Sequence, residues 1–81
     1  MPDLTLYIRK DCHLCFDMIS GLNKLQEKFG FHFKLIDVDS NVILKEKYGN
    51  FVPVLKGENG EEICHFYLDP KALDAYLVKI R

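Results

Sequence analysis

The feature that most constrains this chain is a pair of cysteines, Cys12 and Cys15, set between a short apolar run and a long amphipathic one. Residues 4–9 are mostly apolar, as in a strand buried on both faces, and apolar residues recur at helical spacing from Leu14 onward. Residues three apart share a helix face, so the two sulfurs can meet. A C-x-x-C pair between a strand and a helix is typical of redox chemistry. We therefore predict a pair that cycles between dithiol and disulfide.

The start of this helix also supplies an electrostatic field. Its unpaired N–H groups carry about half a positive charge, which favours the thiolate of Cys12, the attacking species in disulfide exchange. A charged His13 would act in the same direction, whereas Asp11 and Asp17 would oppose it. Cys12 is therefore the candidate nucleophile and Cys15 its partner. His13 is either a residue that tunes the pair or an exposed side chain with little effect.

The rest of the chain predicts the order β-α-β-α-β-β-α. Gly30 ends the first helix, Asn59-Gly60 is a strong hairpin signal, and Asp69-Pro70 is a helix start. Ser40 or Asn41 can cap the short second helix. The first two strands should be parallel, because a helix connects them. We predict strands at residues 4–9, 31–37, 51–56 and 61–67, and helices at residues 14–29, about 41–48 and 70–81. The expected fold class is α/β, a single domain over residues 1–81 with helices on both faces of a mixed four-stranded sheet.

Composition excludes several classes of function. The formal net charge of −1 gives no electrostatic footprint for nucleic acid, and no apolar run is long enough for a membrane span. The N-terminus lacks the basic and apolar regions of a secretory signal. Three cysteines, two of them closely spaced, are not a structural disulfide framework and fit a reducing compartment. We expect a cytoplasmic monomer that binds neither nucleic acid nor membrane.

The element order, with Cys12-x-x-Cys15 after the first strand and Val52-Pro53 opening the third, resembles the thioredoxin fold in its glutaredoxin-like form. Within that superfamily the chain is most similar to small bacterial glutaredoxin-like proteins. The resemblance implies that Cys12 attacks and Cys15 resolves. It also implies that the Val52–Pro53 bond is cis, lies against the cysteines and leaves Val52 backbone groups for an extended substrate. Arg9 matches a lysine that helps hold the glutathione carboxylate in glutaredoxins.

The chain departs from the glutaredoxin pattern at two places. His13-Leu14 replaces the usual Pro-Tyr between the cysteines. The Gly-Gly that grips the γ-glutamyl end of glutathione is replaced by residues 64–69, in which rings would fill the space and only Asp69 could keep its role as a helix cap. We therefore expect weak, non-selective glutathione binding. Reduction by a thioredoxin-type reductase or a protein dithiol is at least as well supported.

These patterns predict a thiol–disulfide oxidoreductase that acts on a protein or small-molecule disulfide and needs no metal or organic cofactor. One alternative is a non-enzymatic binding module of the same fold with idle cysteines. Another is a metal or cluster carrier, because Cys12, His13 and Cys15 with Cys64 or His65 are zinc ligand types. Reactivity separates the three: an exchange enzyme reduces protein disulfides, an adaptor does not, and a carrier purifies with metal.

Overall fold

The computed structural model describes residues 1–81, and its elements follow the predicted order with one short 3-10 turn added before the second helix. The elements are β1 (Asp3–Ile8), α1 (His13–Phe29), β2 (His32–Asp37), the 3-10 turn (Val38–Ser40), α2 (Val42–Tyr48), β3 (Val54–Lys56), β4 (Glu62–His65) and α3 (Pro70–Ile80). The sheet order is β2-β1-β3-β4, with β1 and β2 parallel and the other pairs antiparallel. The predicted α/β architecture with a mixed four-stranded sheet is confirmed. None of the helices combines the length and apolarity that crossing a membrane requires.

The predicted helix ends are formed by the residues that signalled them. Gly30 adopts a left-handed conformation with φ 72° and closes α1 through its N–H. The Asn41 side chain accepts the N–H groups at the start of α2, so Asn41 rather than Ser40 is the cap. Asp69 caps α3, and Pro70 occupies its first turn. These local signals hold because each satisfies backbone groups that the helix itself leaves unpaired.

The main core lies on one face of the sheet, between the strands and helices α1 and α3. Leu4 and Leu6 of β1 point into it and are fully buried. The helices and β3 contribute most of the remaining buried side chains: Met18, Leu22, Leu55, Leu73, Tyr76 and Leu77. Gly21 of α1 permits close packing here, since a Cβ at that position would lie 2.6 Å from the Leu68 side chain. Glycine lowers the helix propensity at this position, but it lets Leu68 of the segment before α3 pack directly against α1.

The opposite face is covered only in part, so the prediction of a first strand buried on both faces is wrong. Helix α2 has seven residues, or about two turns, and packs on Tyr7 and Val54. Tyr7 and Tyr48 stack with ring centroids 4.3 Å apart, and the Tyr48 hydroxyl accepts a hydrogen bond from Lys56. Thr5 stays half-exposed. Burial opposes ionisation of Tyr48, but the neighbouring lysines outweigh it and lower the pKa of the phenol.

Two strands are shorter than predicted at the end of the sheet that faces Cys12. Strand β3 begins at Val54 rather than Phe51, because Pro53 has no N–H to donate to a ladder. Strand β4 ends at His65 rather than at residue 67, because Phe66 adopts φ 62°, outside the extended region. Beyond the hydrogen bond from the Phe66 N–H to the Pro53 carbonyl, the β3–β4 ladder does not continue at this end of the sheet.

The packing on β1 predicts unequal costs for two neighbouring leucines. Leu6 and Leu35 are register partners on β1 and β2, but Leu6 is 0% exposed and Leu35 is 48% exposed. Leu6→Ala should lower the free energy of unfolding by about 2–5 kcal/mol through the cavity it leaves. Leu35→Ala, the matched control, should lower it by less than about 1 kcal/mol. Urea unfolding followed by circular dichroism measures both, and equal losses would contradict the assignment of the core.

Candidate active site around Cys12 and Cys15

The sheet topology brings four chain segments to the same end of the sheet. The C-terminal ends of the parallel strands β1 and β2 meet there, together with the start of β3 and the end of β4, which run antiparallel to each other. The segment after β1 carries Arg9, Cys12 and His13, and the segment before β3 carries Val52 and Pro53. The sequence-predicted site residues thus come from two segments that approach the same end of the sheet.

Cys12 is the N-cap of α1, and Cys15 lies in the first turn of that helix. Their Sγ atoms are at bonding distance and form a disulfide, with Cα atoms 5.2 Å apart, inside the normal range for disulfides. The Cys12 sulfur also accepts the backbone N–H of Cys15 at 3.2 Å. Cys12 is half-buried, whereas Cys15 is 1% exposed. The sulfur that an incoming molecule can reach is therefore that of Cys12.

His13 projects into solvent beside the disulfide. Its side chain is 88% exposed, and its Nε2 lies 3.4 Å from Asp17 Oδ2, one turn along the helix. An exposed pair of this kind contributes at most about 1 kcal/mol. The two interpretations of His13 therefore stay open.

Arg9 forms an ion pair that no local sequence pattern signals. Its guanidinium meets the Asp39 carboxylate at two points, Nη2 to Oδ1 at 3.1 Å and Nε to Oδ2 at 3.2 Å. The parallel register of Ile8 with Asp37 brings the two residues together, although they are 30 apart in sequence. The turn that carries Asp39 is braced, because the Asp39 N–H donates to Asp37 Oδ1 at 2.9 Å. The planar fork of Arg9, which suits a carboxylate, is thus already occupied by a carboxylate of the chain itself.

The segment before β3 offers unpaired backbone groups. The Val52–Pro53 peptide bond is cis, and Pro53 is buried. Val52 is half-buried, and neither its N–H nor its C=O makes a hydrogen bond within the chain. Unsatisfied donors and acceptors of this kind are available to an extended peptide that adds as a strand.

Three aromatic side chains lie close together at this end of the sheet, and we call them the aromatic triad. Phe51 directly precedes Val52, and His65 and Phe66 lie at the end of β4. Their centroids are 4.8 Å apart for His65–Phe66, 6.0 Å for Phe51–His65 and 6.4 Å for Phe51–Phe66. The Phe66 N–H donates to the Pro53 carbonyl at 3.0 Å, which ties the triad to the start of β3. Sequence reasoning did not identify this cluster, because it depends on the pairing of β3 with β4.

The third cysteine is free and is not part of the Cys12–Cys15 disulfide. Cys64 pairs with Leu55 in the β3–β4 ladder and packs against the main core. Burial raises the pKa of the Cys64 thiol, so it is protonated at neutral pH. No group of three or more His, Cys, Asp or Glu side chains lies close enough together to hold a metal ion. The ligand types noted in the sequence are thus not assembled into a site in this fold.

Comparison with known proteins places the chain among small thioredoxin-fold proteins. The model of a family described as a glutaredoxin-like domain (DUF836) matches residues 3–78. Protein Ne2328 from Nitrosomonas europaea is 39% identical, with a TM-score of 0.84 over 93% of this chain and 89% of that chain. Protein XcR50 from X. campestris is 34% identical, with a TM-score of 0.77 over 94% and 96%. Oxidised thioredoxin from Plasmodium falciparum, 18% identical with a TM-score of 0.62 over 98% and 80%, shares the fold. No protein of curated function matches the sequence.

The environment of Cys64 predicts slow alkylation with a displaced pH dependence. Burial penalises the thiolate, so the rate of reaction with iodoacetamide should rise with pH and reach half its maximum above the usual thiol range of about 8.5. A Cys12→Ser/Cys15→Ser variant leaves Cys64 as the single thiol, and mass spectrometry gives its rate. Unfolding the same variant in urea is the control and should restore ordinary thiol reactivity. A normal pH midpoint in the folded variant would contradict the burial.

Proposed function

This chain belongs to the glutaredoxin-like domain family (DUF836), and we propose that it is a thiol–disulfide oxidoreductase that works through Cys12 and Cys15. The observation that carries this proposal is the asymmetry of the cysteine pair at the start of α1. One sulfur is reachable and the other is buried, and the two are at bonding distance. Two-step exchange requires an attacking thiol that the substrate can reach and a second thiol within bonding distance of it, and Cys12 and Cys15 meet both conditions.

The reaction is two successive thiolate displacements. The Cys12 thiolate attacks one sulfur of the substrate disulfide, whose other sulfur leaves as a thiolate and takes a proton from water. The Cys15 thiolate then attacks the Cys12 sulfur of the mixed disulfide and releases the second substrate thiol. The substrate gains two electrons, and the enzyme retains a Cys12–Cys15 disulfide. The cycle needs no metal or organic cofactor, and an external dithiol or reductase returns the pair to its reduced form. The proposed setting is a monomer in the reducing cytoplasm.

The helix supports the first displacement. Unpaired N–H groups at the start of α1 favour negative charge on the Cys12 sulfur. The Cys15 N–H, 3.2 Å from that sulfur, donates a hydrogen bond that is strengthened when the sulfur is a thiolate. In the second step the leaving group is the substrate thiolate. Cys12 is itself the leaving group when the enzyme is reduced, because the second thiol of the reductant displaces it from their mixed disulfide, and the same N–H groups then stabilise the departing Cys12 thiolate. His13 is a candidate contact for the substrate beside this sulfur.

The surroundings of the pair favour a polypeptide disulfide over glutathione. Val52 offers free backbone groups to an extended chain, whereas Arg9, the candidate for a glutathione carboxylate, is paired with Asp39. The Phe66 ring stands in the stretch where the family resemblance places glycines. We therefore propose a protein disulfide as substrate, with weak glutathione binding and reduction by a protein dithiol or a thioredoxin-type reductase.

A binding module of the same fold would keep this geometry without performing exchange, and single-cysteine variants separate the two. Cys15→Ser should accumulate a mixed disulfide with a disulfide-bonded protein such as insulin, because the resolving step is lost. Cys12→Ser should form none and lose exchange. Mass spectrometry after incubation detects the adduct, and Cys64→Ser, which removes a cysteine remote from the pair, should behave as wild type. Full exchange activity in Cys12→Ser would end the proposal.

The Arg9–Asp39 pair predicts a charge preference among small disulfides. Asp39→Asn frees the guanidinium, so kcat/KM for the anionic dithiodiglycolate should rise about threefold. That factor corresponds to under about 1 kcal/mol, the typical contribution of a partly exposed ion pair. The value for neutral bis(2-hydroxyethyl) disulfide should not change, and that for cationic cystamine should fall.

Two controls isolate the role of Arg9 in that comparison. Asp74→Asn makes the same charge change on the exposed surface of α3 and should leave the three rates in their original ratio. Adding Arg9→Ala to Asp39→Asn should cancel the gain. A gain that persists without Arg9 would show that net charge, not the ion pair, sets the preference.

A further inference from the structure

Phe66 is held in a conformation that its side chain disfavours. Its φ of 62° lies in the left-handed region, which glycine adopts freely and bulky residues rarely adopt. The other non-glycine residue with positive φ is Asp11, and a short polar side chain tolerates that region. Phe66 also keeps 36% of its surface exposed, so part of the ring stays open to solvent. Strain of this kind concentrates at functional sites.

The aromatic triad presents these rings as one surface. His65 and Phe66 meet edge to face at 70°, and Phe51 meets His65 edge to face at 79°. The His65 ring is fixed from its other side, because Nδ1 lies 2.9 Å from Glu62 Oε2. All three side chains are exposed, so ring faces and edges remain open to an incoming group. Such a surface suits an apolar or aromatic side chain, which can pack on rings in offset or edge-to-face contacts.

The triad adjoins the unpaired backbone of Val52 from two directions. Phe51 directly precedes Val52 in the chain, and Phe66 donates its N–H to the carbonyl of Pro53, which directly follows Val52. A peptide that pairs with Val52 runs extended, so its side chains alternate to either side with a period of two. Because Phe51 and Phe66 flank the Val52–Pro53 segment, the rings adjoin the backbone with which such a peptide would pair.

We infer that the aromatic triad is a specificity site for a large apolar side chain next to the disulfide-bonded cysteine of a polypeptide substrate. This inference rests on the proposed exchange function and adds to it the sequence that the substrate carries. The occupant is a polypeptide, because only a polypeptide both pairs with the Val52 backbone and brings a side chain beside its cysteine. The positive φ of Phe66 is unfavourable for a phenylalanine, and it accompanies the placement of the third ring beside Phe51 and His65.

Phe66→Gly tests the inference, because glycine removes the ring and also relieves the backbone. The substrates are two eight-residue peptides with one cysteine each, joined through a disulfide to thionitrobenzoate and carrying either Phe or Ala on both sides of the cysteine. Cys12 attacks the peptide sulfur, and release of the coloured thiolate is followed spectroscopically. For the wild type we expect kcat/KM about tenfold higher with the Phe peptide. In Phe66→Gly the ratio should fall toward one, while the melting temperature stays equal or rises.

Matched variants and a small disulfide make each result interpretable. Phe51→Ala should also lower the Phe-to-Ala ratio, whereas Val78→Ala, an exposed apolar change on α3, should not. A lower melting temperature in Phe66→Gly with an unchanged ratio would overturn the inference and assign the ring a structural role. An equal loss with both peptides and with bis(2-hydroxyethyl) disulfide would also overturn it. If the wild type reduces none of these substrates, the exchange function fails. The triad is then judged by the affinity ratio of the same peptides with serine in place of cysteine, and a ratio of one rejects it.

Discussion

Strand β1 is the element on which the rest of the structure depends, because it has hydrogen-bonded neighbours on both edges, two helices packed on one face and a short helix covering part of the other. Its pairing with β2 is parallel and its pairing with β3 antiparallel. Leu4 and Leu6 point to α1 and α3, whereas Tyr7 points to α2. A slip of one residue would exchange these faces, so the register is strongly specified. The same register decides which segments meet beyond its C-terminal end, where Cys12 begins α1.

The fold could be predicted because each of its local signals carries its own physical cause. Gly30, Asn41 and Asp69 satisfy helix-end groups that have no other partner, and the apolar spacing of α1 is long enough to be unambiguous. The ends of β3 and β4 could not be predicted in the same way. Pro53 marks the region where β3 starts, but how far it shortens the strand depends on its neighbours. No sequence rule expects a phenylalanine to end a strand by adopting positive φ. The second face of the sheet is covered only in part because α2 is short. The spacing of apolar residues predicts that helix, but it does not show how much of the sheet the helix covers.

In the candidate site, too, some features could be predicted from the sequence and others could not. The cysteine pair was visible because its residues are three apart, within one turn of helix. The pairing of Arg9 with Asp39 and the contact of Phe51 with Phe66 join residues 30 and 15 apart, through strand pairing that only the folded sheet reveals. These non-local contacts also distinguish the surroundings of the cysteine pair from the glutathione site of glutaredoxins. Arg9 is paired with Asp39, and aromatic rings lie where glutaredoxins carry glycines. The proposed chemistry thus rests on residues close together in the sequence, whereas the proposed selectivity rests on contacts between distant segments.

The position of Cys12 as the cap of α1 links two quantities that are usually measured separately. The sulfur that changes oxidation state is also the acceptor that closes the first turn of the helix. By thermodynamic reciprocity, whatever the oxidation state does to the stability of that turn, stabilising the turn must do to the reduction potential. A side-chain cap is worth about 1 kcal/mol, and for a two-electron couple that energy corresponds to about 20 mV. Helix fraying and the reduction potential of the pair are therefore coupled through one shared free energy, and substitutions well inside α1 can shift the potential without touching either sulfur.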